Sequence, residues 1–176
     1  MKYTPTMCDH CGQTQDYLIN LDKGSALIVM ALAYAVKRLD RNKIHLAKEM
    51  EIATPDIVRD FGDLWSAIRA GYMSARMTDN ILRPKYFGLV AQCDGGGKGE
   101  YLLTPRGARF LKGDPIEAAA VIDKRTHSKR MYWEPSGSTT IHELLAGGQM
   151  WDLATLTSSP HVTSLIGHSG DNQTLF

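Results

Sequence analysis

The stretch "ALIVMALAYAV", residues 26–36, is apolar on every side of a helix and constrains the fold more than any other part of the chain. A helix with no polar face has to lie in the middle of a domain, covered all round by other elements. Asp22 or Ser25 can cap its start, and Lys37, Arg38 and Arg41 place cations near its end, where they complement the helix dipole. The run falls well short of the roughly 18 to 20 residues that a bilayer span needs. Asp9, Asp16 and Asp22 do not suit the basic start of a signal peptide. The expectation is a soluble, cytoplasmic chain with no membrane partner. At 176 residues and 43% hydrophobic content, it is long and apolar enough for one real core with appendages.

The segments beyond that helix read in a definite order. "NKIHLAKEMEI" offers an extended piece at residues 43–45 and then a short helix to about Met50. Thr54 before Pro55 is a cap followed by proline at the first helical position. After it Ile57, Val58, Phe61, Leu64, Trp65, Ile68 and Tyr72 form one apolar stripe, read as core rather than as a platform for bases. Thr78 or Asp79 can cap a turn leading to Leu82, Pro84 interrupts or restarts the helix, and Gly88 is a natural terminator. Residues 89–93 then read as a strand, "DGGGKG" as a turn, and "EYLLT" as a returning strand with Tyr101 and Leu103 on one face and Leu102 and Thr104 on the other. "TPRGARFL" opens a further helix with the cap-then-proline signal of Thr54. Helix, helix, hairpin, helix is the order of a winged helix. The expected fold class is α+β: a winged helix-turn-helix core with a β-hairpin wing at 21–115, preceded by a small knuckle segment at 1–20. A basic hairpin extension at 116–134 and an irregular Ser/Thr/Gly-rich C-terminal tail at 135–176 follow.

"KIHLAKEMEI", "LRPKYFGLVAQ" and "GEYLLTPRGARFLKGD" resemble the winged-helix proteins of a large, mostly uncharacterised family of bacteriophages and mobile elements. The usual layout there is an N-terminal CxxC knuckle, an "LNKG"-type helix entry and a short helix after a "HL" pair. An "LRYFGL"-type helix end and a "GYWLLTxxGxxFLxG" wing and helix follow. The likeness spans about residues 8–115, with "LDKG" at 21–24 and "RPKYFGL" at 83–89 in the matching places. It implies a non-enzymatic nucleic-acid-binding regulator of transcription. The sequence departs from that layout in two ways. "DIVRDFGDLWSAIRAGYMSARMT" looks like an inserted or lengthened helix, and Pro84 stands where the recognition helix would end.

Charge separates the functional classes. The chain carries a formal net charge of only +1, yet residues 83–130 hold ten Lys/Arg against five Asp/Glu. That segment is the candidate nucleic-acid face, with Arg83, Lys85, Lys98, Arg106, Arg109, Lys112, Lys124, Arg125, Lys129 and Arg130 as the contacting cations. A phosphate-binding P-loop is excluded for residues 95–99, because Glu100 and a strand follow where a Ser/Thr and a helix are required. A dinucleotide loop fails on the same context. What remains is a flexible wing tip whose Lys98 can approach phosphate, or a plain loose turn. Further on, "DKRTHSKR" lies between the apolar Val121, Ile122 and Met131, Tyr132, Trp133, which suggests a second hairpin with charge beside stacking surface, although "EAAAVI" could be helical.

Cys8 and Cys11, followed by Gly12, have the spacing of a zinc knuckle. Two thiolates are half a tetrahedral site. His10 and Cys93 are the preferred further ligands within one chain, with His45, His127 and His142 as other candidates, or a second copy of the knuckle in a homodimer. Two ordinary reduced cysteines are the plain alternative, and a redox CxxC normally opens a helix after a strand, a context residues 1–20 lack. No spaced catalytic motif is present: His142 and Glu143 are adjacent, unlike HExxH, so neither an enzyme nor a small-molecule substrate is expected. After Arg130 there is no Lys or Arg, and the Ser/Thr/Gly-rich tail is either disordered or ordered on a partner. Its end, "NQTLF", resembles the peptide by which replication and repair proteins bind the bacterial sliding clamp. DNA is the expected partner. The alternative is docking on a host protein complex, as an anti-defence protein of the anti-CRISPR kind or a polymerase or replication inhibitor would do.

Overall fold

The computed structural model describes residues 2–45, 81–93, 99–145 and 153–167. The helices expected after residues 45 and 54, the wing tip with Lys98, and the clamp-like residues 172–176 lie outside the described residues.

Strand β1 (Asp16–Asn20) leads into α1 (Lys23–Leu39), where Asp22 takes the capping role: its Oδ1 accepts the Ser25 N–H at 2.8 Å. Every residue from Ser25 to Val36 is buried, as the all-round apolar run demands. Asp40 ends the helix in the left-handed region at φ 52°, and β2 (Lys43–His45) follows. Next in the described chain come α2 (Leu82–Tyr86), β3 (Val90–Gln92), β4 (Glu100–Leu103) and α3 (Pro105–Leu111). Pro84 falls within the first turn of α2, where its missing N–H removes no helical bond, and Gly88 at φ 70° ends the element.

β2, β4 and β3 form one antiparallel sheet in that order. Ile44 and Gln92 both face Tyr101 across the register, and Ile44, Val90, Tyr101 and Leu103 are buried in the core that surrounds α1. Asn42 closes the sheet's edge by accepting the Leu103 N–H and donating to the Leu103 carbonyl, both at 3.1 Å. The "TPRG" stretch is locked onto the end of the α2–β3 turn. The Thr104 hydroxyl donates to the Gly88 carbonyl at 2.6 Å and accepts the Gly107 N–H at 2.9 Å. Gly107 passes so near β3 that a Cβ there would stand 2.1 Å from the Leu89 carbonyl oxygen.

Strand β5 (Ile116–Glu117) precedes β6 (Ala119–Asp123) and β7 (Lys129–Tyr132). β6 and β7 are the hairpin expected around "DKRTHSKR", and "EAAAVI" is extended rather than helical. β6 is also the middle strand of a second sheet, β1–β6–β7, pairing Asp16 with Asp123 through Asn20 with Ala119. The stretch 1–20 and the hairpin 116–134 therefore share one sheet. Its inner face sends Ile19, Ala120 and Ile122 into the main core, with Tyr17 and Tyr132 packed alongside. Leu18, Val121 and Met131 lie in register on the outer face, and the N-terminal residues Tyr3 and Thr6 are fastened there through Asp16.

The expectation of an irregular C-terminal tail is corrected. β8 (Ser138–Thr139) pairs with β5, and three helices follow: α4 (Ile141–Leu144), α5 (Leu153–Thr157) and α6 (Pro160–Gly167). A reciprocal capping box starts α4, with the Thr140 N–H donating to Glu143 at 2.7 Å and the Glu143 N–H to the Thr140 hydroxyl at 3.2 Å. Ile141, Leu145, Leu153, Leu156 and Val162 are buried against α1 and α3, which supplies the apolar burial that a disordered tail lacks. Lys37 Nζ donates to the Thr155 carbonyl at 3.0 Å, and His161 Nε2 lies 2.8 Å from the Asp40 carbonyl oxygen. Among the described residues, the chain is an α+β fold of three small antiparallel sheets and six α-helices, with α1 buried at the centre.

Candidate nucleic-acid interface and the N-terminal cysteine turn

The basic segment owes its shape to carboxylates. Asp16, 3% exposed, accepts the Tyr3 hydroxyl, the Thr6 N–H at 2.9 Å and Arg130 at 3.1 Å. Arg130 also grips Asp123 with Nε at 3.0 Å and a terminal nitrogen at 2.5 Å. Asp123 in turn accepts the Arg125 and Thr126 N–H groups, each at 2.8 Å, which builds the hairpin turn on its own first residue. These bonds fix the ionisation states. Burial works against the Asp16 carboxylate, but the Tyr3, Thr6 and Arg130 contacts overcome it and leave its pKa lowered. Asp123 is held well below the usual carboxylate range, first by the Thr126 N–H and then by Arg130. Burial, with the neighbouring Asp16, pushes the Tyr3 hydroxyl up to about 12, so it remains a donor.

A second cluster forms where β7, α2 and α3 meet. Tyr132 stacks on Phe87 with ring centroids 6.2 Å apart. The Lys129 ammonium lies 3.6 Å from the Tyr132 ring centre and the Arg106 guanidinium 5.2 Å from it. Arg106 also pairs with Glu117. Trp133 meets Tyr3 edge-on at 5.2 Å. Both aromatics expected as stacking surface for bases are thus engaged within the chain.

The remaining candidates divide the same way. Arg83 pairs with Asp22, Lys124 bonds the Thr14 hydroxyl, Arg109 is 3.9 Å from Asp114, and Lys85 reaches Gln92 at 3.4 Å. Lys112 and Arg125 are exposed, and no ion pair holds either side chain among the described residues. The partners Asp16, Glu117 and Tyr3 escaped sequence reasoning: Asp16 meets Arg130 from 114 residues away, and the Arg106–Glu117 and Tyr3–Asp16 contacts, 11 and 13 residues apart, match no helix or hairpin spacing. Asp123 carried a readable signal, since an aspartate opening a polar turn is a standard turn former.

At the N-terminus the chain doubles back between Met7 and Thr14, which form an isolated antiparallel bridge. The Cys8 N–H donates to the Gln13 carbonyl and the Gly12 N–H to the Cys8 carbonyl, both at 2.8 Å, while Gly12 sits at φ 67°. The Cys8 thiol is lowered to about 7, chiefly by the backbone N–H of Cys11 and then that of His10. Cys8 and Cys11 carry free thiols. Cys93 lies elsewhere, at the end of β3, where its N–H donates to the Glu100 carbonyl at 3.1 Å. Among the described residues no three His, Cys, Asp or Glu side chains gather as a metal site, so His10 and Cys93 do not join the cysteine pair there.

No protein-family model, curated protein or solved structure matches this chain. Among the described residues no helix is long and apolar enough to cross a membrane.

Proposed function

We propose that the chain is a winged-helix protein that binds duplex DNA without catalysing a reaction, as a regulator of a bacteriophage or mobile element in the bacterial cytoplasm. The observation that carries this reading is the β2–β4–β3 strand order. In a winged helix the strand after the first helix pairs with the far strand of the wing, and here β2 follows α1 and pairs with β4 rather than β3. α2 precedes β3 in the place of the recognition helix's end, and residues 94–98 join the two wing strands. Exposed Lys112 and Arg125 supply cations for phosphate. Such contacts are sequence-general, so the protein is expected to hold onto DNA of any sequence at low salt.

A second reading, docking on a host protein complex, is favoured by one observation: Arg83, Arg106, Lys124, Lys129 and Arg130 already have partners within the chain. Titrating labelled random-sequence duplex with protein at low salt separates the two. Saturable binding supports the DNA reading, and absence of binding leaves the docking reading in its place.

A further inference from the structure

We propose that Cys8 and Cys11 are half of a zinc site that is completed by the same two residues of a second copy, making the metal a dimer clasp. This rests on the N-terminal turn and is independent of DNA binding.

Three features carry it. First, the turn presents two sulfurs together. The Gly12 N–H bonds the Cys8 carbonyl at 2.8 Å, which closes one turn over the Cys8–Cys11 spacing. The Met7–Thr14 bridge and the bond between the Cys8 N–H and the Gln13 carbonyl hold that arrangement. Second, the pair is a surface feature: Cys11 is exposed, and Met7 beside the turn is 52% exposed, an apolar side chain open to being covered. Third, two sulfurs leave two positions of a tetrahedral ion open, and no further ligand gathers there among the described residues. A two-fold axis through the ion supplies two more sulfurs from one patch, which is the self-complementary geometry of a cyclic dimer.

Charge favours the same assembly. Four thiols lose four protons to solvent as zinc binds, leaving a centre with two net negative charges. Each copy brings Lys124 to the Thr14 hydroxyl on the bridge, so each adds one ammonium group to the strand pair that carries the cysteines. Zinc fits better than a hard cation, because soft sulfur ligands select it over magnesium or calcium.

The test uses the full chain with zinc and with chelator, measuring mass by light scattering and metal by elemental analysis. The expected result is a doubling of mass with zinc, about half a zinc per chain, and reversal by chelator. Cys11→Ser is the cleaner variant because its side chain is exposed, and Cys8→Ser is its companion; each should lose both zinc and the dimer at an unchanged melting temperature in chelator. Cobalt substitution should give the visible spectrum of a tetrahedral, sulfur-rich centre. One zinc per monomer, a mass indifferent to zinc, or zinc retained by Cys11→Ser would each overturn the proposal.

Discussion

Arg130 shows how far a residue's partners can change its meaning. Read along the chain it is one of four cations in a basic turn, and in the fold it neutralises Asp16 and Asp123 at once. A buried carboxylate that loses its counter-charge is costly, so Arg130→Ala should lower the midpoint of chemical denaturation. The pH dependence follows in sign. Asp16 and Asp123 have folded pKa values below their unfolded ones, so their contribution is present above the ordinary aspartate range near 3.9 and is lost as pH falls through the lowered values. Melting temperature should hold between pH 7 and 5 and drop below about pH 4, less steeply in Asp16→Asn. Gly107 was legible in a different way. The "TPRG" stretch announced a capped helix, but only the fold shows that the glycine allows α3 to touch the Leu89 carbonyl. Gly107→Ala should cost about 3 kcal/mol or more, visible as a lower midpoint, because the obstructing atom belongs to the backbone.

At the scale of elements, signals written within a few residues of one another could be read. The apolar run predicted a central helix, Thr104–Pro105 a helix start, and the alternation of Tyr101 and Leu103 with Leu102 a half-buried strand, and α1, α3 and β4 answer to these. The tail helices were hidden by composition. Ser, Thr and Gly dilute the apolar residues of 135–176, so Leu153, Leu156 and Val162 did not stand out as a packed face. Their burial gives a direct test. Leu156 is fully buried, and Leu156→Ala should destabilise the whole domain by about 2–5 kcal/mol. A loose tail would leave the denaturation midpoint unchanged.

Across the whole molecule, α1 joins two sheets that sequence order keeps apart. In the β2–β4–β3 sheet, β3 and β4 are consecutive strands, and that hairpin was foreseeable, whereas β2 reaches β4 across more than fifty residues. The β1–β6–β7 sheet pairs residues 16–20 with 119–123, a distance over which local pattern is silent. Lys124, Lys129 and Arg130 of that second sheet's hairpin have partners within the chain, whereas Lys112 and Arg125 are exposed and have no ion pair among the described residues. The most direct measurement is the salt dependence of binding to random-sequence duplex, for the unaltered chain and for Lys112→Ala/Arg125→Ala. The account predicts a steep log–log slope that the double variant reduces by about 0.9 per lost contact, roughly two in all, at unchanged melting temperature. A salt-independent affinity, or a slope that the double variant leaves intact, would contradict it.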